Sequence, residues 1–214
     1  QTKFVDGRAA AIAELPNFAE IRDAATDIRD KVIRNLDRYL LRFEQEATAR
    51  GAVVHWAETA GEVNRIVADI ARRHGLHKAV KSKSMVSEEC GLNDALEAQG
   101  LDVLETDLGE YILQLAHEPP SHIVAPVVHK SKEEIADLFE EKHQRPRTTN
   151  ITEMCREARE VLRPGFLSAD LGISGANFII AETGSVVIIT NEGNGRLTTT
   201  LPRVHVAITG IEKV

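Results

Sequence analysis

Apolar residues recur along this chain at two different periods, and the changes from one period to the other delimit its elements. Between Ile21 and Phe43 the positions Ile21, Ala25, Ile28, Val32, Leu36, Leu40 and Phe43 follow steps of three and four, the spacing of one helical face. This predicts a single long amphipathic helix packed as an arm or cover. Asn17 with Glu20 resembles an N-terminal capping pair, and Gly51 supplies a stop signal at the far end.

Beyond Gly51 the pattern alternates. "AVVHWA" has the content of a short strand, and Thr59-Ala-Gly-Glu62 is a capping box opening a helix that runs to Gly75. "HKAVKS" predicts a strand, "SMVSEECGLNDALEAQG" a helix stopped by Gly100, "LDVLET" a strand and "LGEYILQLAH" a helix. "HIVAPVV" predicts another strand, and Ser131-Lys-Glu-Glu134 is a second capping box. The basic connector "HQRPRTTN" precedes a helix through "EMCREAREVL". Such alternation predicts an α/β fold, with a mostly parallel sheet, right-handed crossovers and helices on both faces. From Leu171 the helical period is lost. Phe178 to Ala181 and Val186 to Ile189 have the composition of buried strands and, with "VHVAIT", predict a C-terminal β-hairpin module. The domain reading is a helical arm over residues 1–50 and an α/β domain over 51–214.

Composition narrows the function classes. The 214 residues, 43% hydrophobic and 28% charged, are those of an ordinary globular chain able to bury a sizeable core. A net charge of −7 and only 4% aromatic residues argue against a phosphate-backbone binder or a base-stacking surface, so nucleic acid is not an expected partner. No apolar run approaches the roughly 20 residues of a membrane span, and no basic-then-apolar leader is present. The expected setting is cytoplasmic. Cys90 and Cys155 are far apart and belong to no C-x-x-C motif, and the eight histidines show no metal-ligand spacing, so no metal or cofactor is expected in this chain. G-x-S-x-G, P-loop and G-x-G-x-x-G motifs are absent. The start at Gln1 without methionine, and the end directly after a strand-like run, lead to the expectation of a piece of a longer protein.

In an open α/β sheet, ligands bind beyond the carboxyl ends of the strands. Lys81-Ser-Lys83-Ser84 puts ammonium and hydroxyl groups at one such place, which suits Lys83 and Ser84 to a carboxylate or phosphate. The alternative leaves Ser84 or Ser87 as a helix cap and the lysines as solvated charges. Lys130 and Lys132 flank a capping serine and read as surface charges. Asp107 fits a structural role at a helix start, whereas Glu110 fits either that role or a general base. The stretch "GISGANFIIAETGSVVIITNEGNGR" sets polar groups beside apolar runs, punctuated by five glycines. Within it Glu182 is a candidate base, and Thr183, Gly184, Asn191, Gly193 and Gly195 are candidate ligand contacts, because glycine lets backbone approach an anion closely. Both loops also read as plain turns.

Three stretches, "SKSMVSEECGLNDALEAQGLDVLETDLGEYILQL", "HIVAPVVHKSKEEIADLF" and "GISGANFIIAETGSVVIITNEGNGR", together resemble the N-terminal part of the lactate-utilisation protein B (LutB) family. The resemblance covers nearly the whole chain. It implies a LUD domain with a NagB/RpiA/CoA-transferase-like fold, acting with other lactate-utilisation subunits in the oxidation of L-lactate to pyruvate. It also implies a following ferredoxin-like region that binds 4Fe-4S clusters, whose C-x-x-C-x-x-C run is absent from these residues. A small carboxylic acid is then the candidate ligand. The alternatives are a stand-alone transferase or isomerase using a glutamate, led by Glu182, and a non-catalytic scaffold whose polar loops form a subunit interface.

Overall fold

A computed structural model describes residues 2–121, 125–190 and 192–214. The chain divides into two compact units, one of residues 1–52, 180–185 and 214, the other of residues 53–179 and 186–213.

The first unit is helical, with α1 (Thr2–Ala13), α2 (Phe18–Ile33) and α3 (Leu36–Ala49). The expected long helix is therefore broken into α2 and α3. At the break the Asn35 amide donates to Lys31 O at 2.8 Å, a side-chain bond that competes with helical continuation. Asn17 precedes α2 without a side-chain cap bond, so the expected capping pair does not form. No residue of α2 is buried, whereas Ala47 of α3 is. The turn around Gly184 accounts for Ala47. Gly184 takes φ +65°, and a Cβ there would stand 2.3 Å from the Ala47 backbone nitrogen, so only glycine lets the turn lie against α3.

The second unit carries the sheet. Its elements run α4 (Ala60–His74), β1 (Lys78–Lys81), α5 (Met85–Glu89), α6 (Leu92–Glu97), β2 (Asp102–Glu105), α7 (Leu108–Ala116), α8 (Lys132–His143), α9 (Ile151–Ser168) and β3 (Leu171–Gly175). The hairpin strands β4 (Phe178–Ile180) and β5 (Ser185–Val187) follow, their residues 180 and 185 and the turn between counted with the first unit, then α10 (Asn194–Thr200) and β6 (Val204–Ile208). Four parallel strands pair in the order β2-β1-β3-β6, and β4-β5 form a separate two-stranded sheet. Of the two expected capping boxes, that at Ser131 forms in full, whereas at Thr59 only the first bond forms and the Glu62 carboxylate accepts from Glu58 N instead. Glu62 N donates to Thr59 Oγ1, and Ser131 and Glu134 exchange both of their bonds.

Period two along the strands sorts the core into two faces. Ala79, Val103, Leu171 and Ile173 pack with Val67, Ala68 and Ala71 of α4 and with Leu92 and Leu96 of α6. Val80, one residue along from Ala79, packs on the opposite face with Tyr111, Phe139, Met154, Ala158 and Leu162 of α7, α8 and α9. Helices thus cover both faces of a parallel sheet.

Several local expectations are corrected. "AVVHWA" forms no strand; Val53 and Trp56 are exposed, and the segment pairs with no strand among the described residues. The helix expected over residues 84–99 is two short helices, because Gly91 adopts a left-handed φ of +59° and the Asn64 amide takes the Cys90 carbonyl. In "HIVAPVV", residues 122–124 lie outside the described residues, and residues 126–129 form a turn. The runs expected to be buried strands are largely exposed, with Phe178 48% and Ile189 70% accessible. The Gly/Asn-rich loop ends in a helix, α10, instead of leading straight into the last strand.

Candidate functional site

The carboxyl ends of β1 and β2 lie side by side, since Lys81 and Glu105 are register partners. Beyond them the chain turns into α5 and α7, which brings the 82–84 loop against the first turn of α7. Ser84 caps α5 by accepting from Ser87 N at 3.3 Å. Lys83, next to it, pairs its Nζ with Glu110 Oε1 at 2.7 Å. The Glu110 side chain is only 10% exposed. Its second oxygen, Oε2, is buried and accepts from no N–H or hydroxyl, so a proton on a neighbouring carboxyl is the group able to satisfy it.

Asp107 provides that carboxyl. Burial, then the hydrogen bond to Glu110 and the negative charges of Glu110 and Glu192, push Asp107 up to about 7. Burial alone would also raise Glu110, but the Asp107 hydrogen bond and the Lys83 ammonium outweigh it and hold Glu110 below the ordinary glutamate value. Asp107 and Glu110 therefore behave as one acid–carboxylate pair sharing a proton near neutral pH. Glu192 approaches from the other side, where Leu108 N donates to its Oε2 at a long 3.5 Å.

Below this pair lies a polar layer. Thr106 Oγ1 donates to Lys81 O at 2.8 Å, and the buried Asn194 amide donates to Thr106 Oγ1 at 3.4 Å. Thr190 Oγ1 donates to Asn194 Oδ1 at 3.3 Å. These bonds tie the start of α10 to the end of β2, and so hold the 193–195 turn at the strand ends.

Lys81 plays a different part from Lys83. It is fully buried, its Nζ bonding both Glu88 Oε1 and Glu105 Oε1, the latter at 2.5 Å. Burial works against its charge, but the two carboxylates more than offset this and raise the pKa. Lys81 is a charged internal strut, unsuited to nucleophilic work.

The predicted residues divide by location. Lys83, Ser84, Glu110, Gly193 and Gly195 lie in the sheet-bearing unit, and Lys83 and Glu110 form a direct ion pair. Gly193 precedes α10 and Gly195 lies in its first turn. Glu182, Thr183 and Gly184 belong to the helical unit. There Glu182 is exposed on the turn, its carboxylate without a partner among the described residues, and Thr183 Oγ1 donates to Ser185 Oγ at 2.8 Å. Asn191 lies outside the described residues. Sequence reasoning passed over the proton-sharing role of Asp107 and the parts of Thr106, Glu105 and Asn194. The available signal was an acid three residues before Glu110 at a helix start, which equally suits a plain cap.

Among the described residues no group of three or more His, Cys, Asp or Glu side chains could hold a metal ion, and Cys90 and Cys155 are free thiols. Nor is any helix there long and apolar enough to cross a membrane.

A LUD-domain family model matches residues 40–214. The chain is 49% identical over 208 residues to Lactate utilization protein B of Bacillus licheniformis, covering 97% of this chain and 44% of that protein. It is 48% identical to Lactate utilization protein B of Bacillus subtilis, again over 97% of this chain and 43% of the relative. An Escherichia coli protein named Uncharacterized electron transport protein YkgF is 44% identical over 216 residues, covering all of this chain and 45% of its own length. The chain thus spans less than half the length of these relatives. No solved structure matches.

Proposed function

The chain belongs to the LUD-domain family, and on that premise we propose that it works as the LUD domain of a lactate-utilisation iron–sulfur protein, within a cytoplasmic multi-subunit complex that oxidises L-lactate to pyruvate. The observation that carries this reading is the near-half identity to Lactate utilization protein B along 97% of the chain. The 4Fe-4S clusters would supply electron transfer from outside these residues. Two partly buried cysteines fall short of the four thiolates such a cluster takes, so this chain's own side chains do not fit one.

The strand-end site supports a role in handling a small hydroxy acid. Lys83 offers its ammonium to the acid's carboxylate. A carboxylate arriving there competes with Glu110 for Lys83, and Glu110, released from the ion pair, becomes a stronger base. It can then take the hydroxyl proton, with Asp107 buffering the pair. The two electrons and the carbon-bound hydrogen leave to an acceptor held elsewhere in the complex.

Lys83→Ala and Glu110→Gln, each placed in the complete complex, test the reading. Both should keep native circular dichroism and lower lactate-dependent dye reduction at least tenfold. Normal folding with full activity in both overturns the site. Glu182→Gln, measured alongside, should leave this activity unchanged, because Glu182 is an exposed turn residue whose carboxylate has no partner among the described residues. Loss of activity in Glu182→Gln alone would move the site from the strand ends to the 182–184 turn.

A further inference from the structure

Against α10 the second unit contains a cavity of about 640 Å³, lined by Val186, Ile188, Ile189, Arg196, Thr199 and His205 with Gly195 and with Thr190, which also bonds Asn194 of the strand-end layer. Three features of this lining point to one kind of occupant. The first is charge. In a chain with 33 acidic and 26 basic residues, no carboxylate lines the cavity, and the Arg196 guanidinium has no partner among the described residues. An unpaired guanidinium in a concave wall favours an oxyanion, which it can hold with two parallel N–H bonds.

The second is the apolar wall. Val186 and Ile189 are exposed and Ile188 partly so, and Ile189 is 70% accessible. The third is the imidazole. His205 on β6 shares a 2.8 Å hydrogen bond between its Nε2 and the hydroxyl of the fully buried Ser174. That bond fixes the ring and leaves Nδ1 for a further partner. Desolvation keeps its pKa below the ordinary histidine value, so at neutral pH it contributes a neutral hydrogen-bonding group while Arg196 supplies the charge.

Ligand pockets commonly measure about 300–1,000 Å³, and this cavity falls within that range. A three-carbon hydroxy acid would fill only a small part of it. We propose that the cavity is a second binding site, separate from Lys83 and Glu110, for an organic anion that joins a carboxylate or phosphate to an apolar body. The anionic head lies on Arg196 and His205, and the apolar body lies along Val186, Ile188 and Ile189.

Octanoate and octyl phosphate serve as probes, titrated calorimetrically into this 214-residue chain, with inorganic phosphate and octanol as partial ligands. Saturable one-to-one binding of either eight-carbon anion is expected, with octanol and inorganic phosphate each at least tenfold weaker. Preference between octanoate and octyl phosphate assigns the head group. Arg196→Gln should weaken the anion at least tenfold, and Arg196→Lys should recover part of the loss; Arg196 is exposed, so both variants should retain native circular dichroism. Ile188→Ser should weaken the eight-carbon anions while leaving inorganic phosphate unchanged. Unsaturable binding, or affinity indifferent to Arg196→Gln, overturns the proposal. Equal binding of inorganic phosphate and octyl phosphate overturns the apolar half of it. Self-association of the chain that is lost in Arg196→Glu and insensitive to octanoate would assign this face to a second copy instead. Loss of octanoate binding in Arg196→Gln with unchanged binding in Lys83→Ala would separate this site from the strand-end one.

Discussion

Lys81 and Lys83 are two residues apart, yet their surroundings give them opposite roles. Period two buries Lys81 on the α4–α6 face, where Glu105 and Glu88 neutralise it, while Lys83 lies past the strand end with Glu110. Removing the Lys81 charge leaves Glu105 buried without a counter-ion, and breaking such a pair costs about 3–5 kcal/mol. Lys81→Met should therefore lower the urea midpoint sharply, and a loss below about 1 kcal/mol would show that Glu105 is readily protonated or hydrated. Asp107 carries a pH signature of the opposite kind to that of an ordinary salt-bridged carboxylate. Its folded pKa, about 7, lies above the ordinary 3.8, so between these values the folded chain holds more protons than the unfolded one. Stability attributable to this group is complete below pH 4, falls as pH rises, and is lost above 7. Asp107→Asn keeps a donor toward Glu110 and a favourable cap residue without titrating. It should be more stable than the parent at pH 8 by about 1–2 kcal/mol, a value reduced for partial exposure, with the gain vanishing near pH 4. Urea denaturation at several pH values reads this difference, and a gain independent of pH would rule out the shared proton.

At the scale of elements, what could be read from the chain was what depends on neighbours in sequence. Thr59 with Glu62 and Ser131 with Glu134 state their helix starts in four residues, and β1 and β2 announce themselves by composition. What was hidden depends on distant contacts. The break between α2 and α3 falls inside an unbroken apolar period, because the Asn35 bond that marks it leaves the spacing of Leu36 and Leu40 intact. The segment "AVVHWA" has strand content but no strand beside it among the described residues. Helix α10, "NGRLTTT", is poor in helix formers and owes its place to Asn194, Thr198 and the close approach of Gly172. Lys83 and Glu110 could be picked out at strand ends, but their pairing required the β1–β2 register, which no local pattern states. The α10 contact yields its own prediction. A Cβ on Gly172 would stand 1.9 Å from Thr198 O, so α10 must move away from β3 to admit one. Gly172→Ala should destabilise by about 1–3 kcal/mol or more and raise hydrogen exchange in residues 194–200. Unchanged exchange there would mean that β3 yields instead of α10.

For the whole molecule, burial is distributed unevenly between the two units. The second unit encloses both apolar faces of the sheet, the Lys81 strut and the Asp107–Glu110 pair. In the first unit, α2 buries no residue, α1 presents exposed positions along its described length, and Ile21, Ile28 and Ile33 remain accessible. The family match begins at residue 40, within α3. An isolated helix of 12–16 residues is marginal in water unless one face is covered. Helices α1 and α2, with little covered, should consequently open far more readily than the sheet. Their amides should exchange with deuterium within minutes, while those of β1 and β3 wait for global unfolding. By the same reasoning, deletion of residues 1–35 should leave the main urea transition within about 1 kcal/mol of the parent, because no side chain buried in the sheet-bearing core is lost. The Asp107 pH dependence offers an internal check, since it reports the strand ends directly and should persist in the shortened chain. If deletion instead lowered the main transition by several kcal/mol, or erased that pH dependence, the N-terminal helices would have to be counted as part of the scaffold that positions the candidate site.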